Sequence, residues 1–256
     1  MTVEHNGAED IDRALALLWH VREQHPEPVR GRRPRLAVGR IVEVAIGVAD
    51  AEGLVAASMH RVAKELGAGT MTLYTYVPGK AELLDLMVDQ VLSERRLPGP
   101  GDERPADWRT QVLLYSDRTR EIYRHHPWLR EASRVRPALG PGHLAGQEYL
   151  LSILDSLGLE AAQVTAAAGA LGTYIDANAA LEAESAHLER VTGQSDDAWW
   201  DQRSVFWHRY FPVERHPTMA RVWENGGFVL TAAEQAAQAY DFGLNRLLDG
   251  IEELVA

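Results

Sequence analysis

Cysteine is absent from this chain of 256 residues, which excludes disulfides, thiolate metal sites and cysteine nucleophiles. Long apolar runs are missing too: nothing approaches the roughly 18 residues of a membrane span. The N-terminus carries Glu4, Glu9, Asp10 and Asp12 where a secretory signal would be positive, so a cytoplasmic protein is expected. There is no G-x-S-x-G elbow, phosphate-binding loop or H-E-x-x-H pattern, and catalysis is not expected. Positive charge is in deficit, with 26 Lys and Arg against 37 Asp and Glu and a net charge of -11. Taken over the whole chain, that balance argues against nucleic acid, because phosphate neutralisation supplies much of the affinity.

The distribution of charge reverses that argument locally. Between residues 30 and 80 the basic residues are Arg30, Arg32, Arg33, Arg35, Arg40, Arg61, Lys64 and Lys80, against Glu43, Asp50, Glu52 and Glu65. The same stretch contains SMHRVAKELGAGTMTLYTYVPGK, residues 58 to 80, which reads as two short helices around a tight turn. Ser58 is a good N-cap for the first helix, whose apolar stripe is Met59, Val62, Ala63 and Leu66. Gly67–Ala68–Gly69 supplies positive-φ freedom for the turn, and Thr70 is the expected cap of a second helix through Tyr76. That second helix has one plainly buried residue, Leu73, and many hydroxyls. The pattern suits a helix-turn-helix whose second helix contacts phosphates and base edges; an ordinary helical hairpin with an exposed face is the alternative.

The flanks strengthen the DNA-reading interpretation. Ahead lies a helix with Ile41, Val42, Ala45, Ile46 and Ala49 on one face and Gly53 after its end; behind Lys80 come Leu84, Met87, Val88 and Val91 at helical spacing. With Ala-Asp-x-Glu-Gly, Val62-Ala63-x-x-Leu66-Gly67, Leu73-Tyr74, Tyr76-Val77 and Glu82-Leu83-Leu84, residues 36 to 95 resemble the tetracycline-repressor (TetR) family of one-component regulators. The resemblance implies an all-α fold: a three-helix DNA-binding unit at 36–80 and a larger ligand-binding and dimerisation unit at 81–256. It places base contacts at His60, Thr70, Met71 and Thr75, and phosphate contacts at Ser58, Thr72, Tyr74, Tyr76 and Lys80. It also implies three partners, namely a double-stranded DNA operator, a small-molecule effector and a second copy of the chain; no membrane partner and no cofactor are expected.

Residues 1–35 form an extension. DIDRALALLWHVRE can make an amphipathic helix with Ile11, Leu15, Leu18 and Trp19 on one side. Pro26, Pro28 and Pro34 then prevent a continuous helix, while Arg30, Arg32, Arg33 and Arg35 crowd into six residues. Such an arm beside a reading head is similar to minor-groove arms, the alternative being a tail that adds only non-specific charge.

Pro98–Gly101 marks the connection to the second half, where helices are expected over about 108–126, 143–157, one long span from Glu160 to Val191, and 231–254. Small residues in the last two suit a four-helix dimer bundle, and their faces are expected to hold Ala237 and Leu244 at the partner. Residues 120 to 190 resemble, more weakly, the C-terminal half of tetracycline repressors from actinobacterial relatives. Ligand candidates rest on chemistry: aromatic Trp128 and Trp207 as walls, with polar Asp117, Arg118, Gln147, Tyr174, Asp176 and Asn178 to orient a planar, antibiotic-like effector. His125, His126 and His143 lack partners at ligand spacing, and no metal is expected. The function so implied is a ligand-released repressor; a constitutive architectural DNA binder or a helical enzyme are the alternatives.

Overall fold

In the computed structural model, which describes residues 8–20, 36–133 and 135–255, every regular element among the described residues is helical. Helix α1 spans Ala8–His20, α2 Val38–Glu52, α3 Met59–Glu65, α4 Thr70–Tyr74 and α5 Lys80–Ser93. After a Gly/Pro loop come α6 Trp108–His125, a 3-10 turn Pro127–Glu131, α7 Pro141–Asp155 and α8 Ala161–Thr192. Three short helices, α9 Asp196–Gln202, α10 Val205–Arg209 and α11 Pro217–Glu224, lead to α12, Ala232–Glu252.

Two buried clusters organise these elements. The first joins Ile41, Val42 and Ala45 of α2 with Val62 of α3, Leu73 of α4, and Leu83, Met87 and Val91 of α5. It continues into Ile122 of α6, Trp128 and Leu129 of the 3-10 turn, and Ala179 and Ala183 of α8, so the helix-turn-helix end and the body share apolar packing. The second is formed by Val112, Tyr149, Ile153, Leu171, Ile175, Leu244 and Leu248, drawn from α6, α7, α8 and α12. Helix α1 joins the first cluster through buried Leu18, and its Trp19 indole donates to the Leu139 carbonyl at 3.2 Å.

The helix ends follow local chemistry. Helix α8 starts in a capping box between Glu160 and Gln163 and stops at Gly193, whose φ of 67° is left-handed. Helix α12 starts in a second capping box, Thr231 with Glu234. Three glycines bring α7 against α5. A β-carbon on Gly142 would lie 2.1 Å from the Asp89 carbonyl oxygen, one on Gly140 2.3 Å from the Asp89 carboxyl carbon, and one on Gly146 2.6 Å from a terminal nitrogen of Arg95. In return the Asp89 carboxylate accepts from the His143 amide at 2.9 Å, satisfying an orphan N–H in the first turn of α7.

Three expectations change. Thr70 is the first helical residue of α4, and Gly69 is its N-cap, without a side-chain bond. Only Gly67 of the turn glycines uses positive φ, at 64°. Leu244 is buried within its own chain at 3% exposure, because α12 turns it toward Leu171 and Ile175 of α8, and so it belongs to the core of this chain.

Candidate nucleic-acid interface and ligand cavity

The reading end is built from α3, the turn and α4. Ser58 spends its hydroxyl as the cap of α3, accepting from the Arg61 amide at 3.2 Å. The His60 imidazole lies 3.3 Å from the Thr70 hydroxyl, tying the outer faces of α3 and α4 together. Leu73 is fully buried and anchors α4, while Met71 stands 77% exposed and Tyr74 41%. Thr72 is exposed, as is Thr75, whose hydroxyl donates to the Thr72 carbonyl at 2.6 Å. Tyr76 is half-buried against the cluster beneath, and Lys80 is exposed at the start of α5. His60, Thr70, Met71, Thr72, Tyr74 and Thr75 are therefore brought onto one outer surface around the helix pair.

Charge on that surface is partly cancelled. Arg61 is held by Glu52 at 2.7 Å and by Glu65, and Arg40 pairs with Glu43 at 3.1 Å. Lys64 and Lys80 add exposed positive charge to this end of the molecule. Arg30, Arg32, Arg33 and Arg35 lie outside the described residues.

In the body, α5, α6, α7 and α8 surround a cavity of about 830 Å³, within the size range of drug-sized ligand sites. Its walls are largely apolar: Val88 and Leu92 of α5, Tyr115 and Tyr123 of α6, Leu129, Ala138, Leu150 and Leu151, and the small residues Ala168, Gly169, Gly172 and Ala180 along α8. The polar wall groups include Arg95, His143, Gln147, Thr165, Thr173 and Asp176. Burial and the nearby charge of Arg95 hold the His143 imidazole below its ordinary range, so it is neutral near pH 7.

Of the ligand candidates from sequence, Gln147 and Asp176 line this cavity. The others sit elsewhere. Trp128 is 1% exposed in the core, its indole donating to Asp50 at 2.7 Å. Tyr174 stacks on Tyr240 and donates to the carbonyls of Ala239 and Tyr240, clamping α8 to α12. Asn178 bonds back to the Tyr174 carbonyl, Arg118 pairs with Glu121, and Asp117 is exposed on α6. Trp207 packs among Trp200, Phe206, Phe211 and Trp223 in the α9–α11 segment. Sequence reasoning missed Arg95, Tyr115, Tyr123 and His143. Arg95 falls in a charged run at the end of a helix, a context that ordinarily means solvent.

Between cavity and reading head lies a polar junction. His126, at the end of α6, contacts Asp50 of α2 at 2.8 Å and Glu94, just beyond α5, at 3.1 Å, while Trp128 donates to the same Asp50 oxygen. Burial opposes charging of this imidazole, but bonds to the two carboxylates and their charges outweigh it, so His126 titrates above its ordinary 6.5. The sign follows: a raised folded pKa gives stability that is complete below the unfolded value and is lost as pH rises through the folded one. Urea unfolding of wild type and His126→Gln across this range should therefore show their difference largest at acid pH and shrinking as pH rises. A difference independent of pH would mean that His126 stays neutral at the junction.

These features define a class: an all-helical protein with a helix-turn-helix head, an apolar cavity in its body and a polar junction between them. The model of the family described as tetracyclin repressor-like, C-terminal domain, matches residues 99–255. The HTH-type transcriptional repressor DrrR1 of Streptomyces coeruleorubidus is 38% identical over 255 residues, covering 100% of this chain and 90% of that protein. An HTH-type transcriptional regulator of Saccharopolyspora erythraea is 31% identical over 170 residues, covering 66% of this chain and 71% of its own length. Among solved structures, ActR of Streptomyces coelicolor in complex with actinorhodin superposes with a TM-score of 0.70 at 28% identity, covering 86% of this chain and 96% of that one. The chain belongs to the tetracycline-repressor (TetR) family. It is a transcriptional regulator and not an enzyme.

Proposed function

We propose that this protein is a repressor that binds a palindromic DNA operator as a homodimer and leaves it when a planar, aromatic, antibiotic-like effector occupies the cavity. In this reading residues 36–80 are the DNA-reading unit, residues 81–256 the ligand and dimerisation unit, and residues 1–35 an extension whose arginines follow DNA. The observation that carries it is the course of α5: it starts at Lys80 beside the recognition helix and ends against the cavity, with Val88, Leu92 and then Arg95 on the wall. A molecule that displaces this wall acts on the head through one rigid element.

Two further observations favour the reading. ActR, a relative in fold and sequence, has been solved with actinorhodin and with (S)-DNPA, which supports reading the cavity as a small-molecule site here. Leu181, Leu188 and Val191 of α8 and Phe242 of α12 are left exposed in a single chain, as suits helices that meet a second copy. Two copies would place their recognition helices in half-sites about 34 to 36 Å apart or a multiple of that.

The test is a linked titration. Footprinting should first show one protected palindrome; effector should then weaken operator binding by about 5- to 150-fold, the range of a 1–3 kcal/mol coupling, and operator should weaken effector binding by the same factor. A compound that binds without changing operator affinity is not the effector. Salt-sensitive binding to all sequences with no protected site would replace this reading with an architectural one.

A further inference from the structure

The cavity contains a cation in an unusual situation. Arg95 is only 5% exposed and sits on a largely apolar wall, two residues past the end of α5. Its nearest described carboxylate, Asp176 of α8, lies 3.6 Å away, longer than the roughly 2.7–2.9 Å of a charge-assisted hydrogen bond. The guanidinium carbon lies 4.9 Å from the centre of the Tyr115 ring, so one face of the group is covered. Its Nε has no hydrogen-bond partner among the described residues. A buried, incompletely bonded guanidinium is costly, and an anionic acceptor arriving inside the cavity relieves that cost. The other basic side chain on this wall, His143, is neutral, which leaves Arg95 as the described wall group able to pair with an anion.

Resting on the functional reading above, we infer that the effector carries a carboxylate, and that this carboxylate is recognised by Arg95 while its aromatic body occupies the apolar part of the cavity. The position gives the contact a consequence. Arg95 and Asp176 face each other from α5 and α8, so a ligand carboxylate competes with Asp176 for the guanidinium and alters a bridge between two walls. The next residue, Arg96, has a φ of 46°, a left-handed conformation unfavourable for a non-glycine residue, so the chain turns sharply directly behind the contact. A pull on Arg95 is then delivered to the end of the helix that begins at Lys80.

The experiment compares anthraquinone-2-carboxylic acid with its methyl ester, titrated calorimetrically into the full-length wild type, Arg95→Met, Arg95→Lys and Gly169→Trp, the last filling the cavity from α8. Wild type should bind the acid at least about tenfold more tightly than the ester, the scale of a hydrogen bond to a charged group. Arg95→Met should bind the two equally, Arg95→Lys should retain part of the preference, and Gly169→Trp should bind neither. In wild type the acid should also release operator more effectively than the ester. Equal binding of acid and ester by wild type overturns the carboxylate inference and leaves the aromatic cavity standing. Failure of both to bind overturns the inference together with the cavity reading. A preference for the acid that survives in Arg95→Met assigns the recognition to another group and also overturns it.

Discussion

Gly142→Val is expected to produce the largest loss of stability of any conservative change in the body. A β-carbon at Gly142 would lie 2.1 Å from the Asp89 carbonyl oxygen, 2.4 Å from the Ser93 hydroxyl and 2.9 Å from the Ser93 amide nitrogen. Two of these are backbone atoms, so no rotamer change relieves the clash; α5 and α7 must separate. Overpacking of this kind costs about 1–3 kcal/mol and occasionally more, and the upper end applies where the obstacle is backbone. For a chain of this size about 3 kcal/mol corresponds to a midpoint lowered by roughly 6–12 °C, measurable by thermal unfolding followed by circular dichroism. Gly47→Ala provides the opposite control: it lies in α2 with nothing within 4 Å of an added β-carbon, and should gain about 0.8–1 kcal/mol from helix propensity. A Gly142→Val protein that melts with wild type would show that the α5–α7 approach is not as close as described. Because the separation also moves Arg95, the same variant should lose response to effector at temperatures where it is still folded.

Replacing Arg30, Arg32, Arg33 and Arg35 together by alanine should give the largest loss in operator binding. The reading head itself is poor in uncommitted positive charge, since Arg40 and Arg61 are engaged by Glu43, Glu52 and Glu65. The arm is therefore expected to carry a large share of phosphate neutralisation. Each arginine that displaces a counterion contributes about 0.9 to the slope of log affinity against log salt, so the eight removed from a bound dimer should flatten that slope by up to about 7. Fluorescence anisotropy of a labelled operator over a salt series reads this directly. An unchanged slope would mean that the arm never meets DNA. A loss that is greater on A·T-rich than on G·C-rich flanks would place the arginines in a narrow minor groove, where negative potential is highest.

The helix-turn-helix was legible because its evidence is local. Leu73 is the one plainly apolar position of α4 and is fully buried; Gly67 sits where the turn needs a left-handed residue, and it has that conformation. The long helix was legible as well: the alanine-rich run from Glu160 to Val191, free of proline, reads as one helix, and α8 spans Ala161–Thr192. The candidate ligand site was less so. Trp128 was expected at a ligand wall on its aromatic character, yet it fills the core beside Asp50, a residue 78 positions away. Tyr174 was chosen for its hydroxyl, which is spent on backbone carbonyls of α12. Gln147 and Asp176 do line the cavity, but the polar residue that faces Asp176 across it, Arg95, had no local mark.

The sequence by itself determined the class of fold, the helix-turn-helix motif and the helices of the body, because each rests on the spacing of apolar residues, on caps and on positive-φ glycines within a few turns of chain. Which side chains face one another was decided by tertiary structure alone. Gly140, Gly142 and Gly146 allow α7 to close on α5, where Arg95 lies inward against Asp176, while the end of α6 places His126 between Asp50 and Glu94. A guanidinium ordinarily seeks water, and composition gives no sign that one is to be buried. Only the packing of four helices around an apolar space turns a surface-type residue into a wall of that space, with the desolvation that makes it a recognition element.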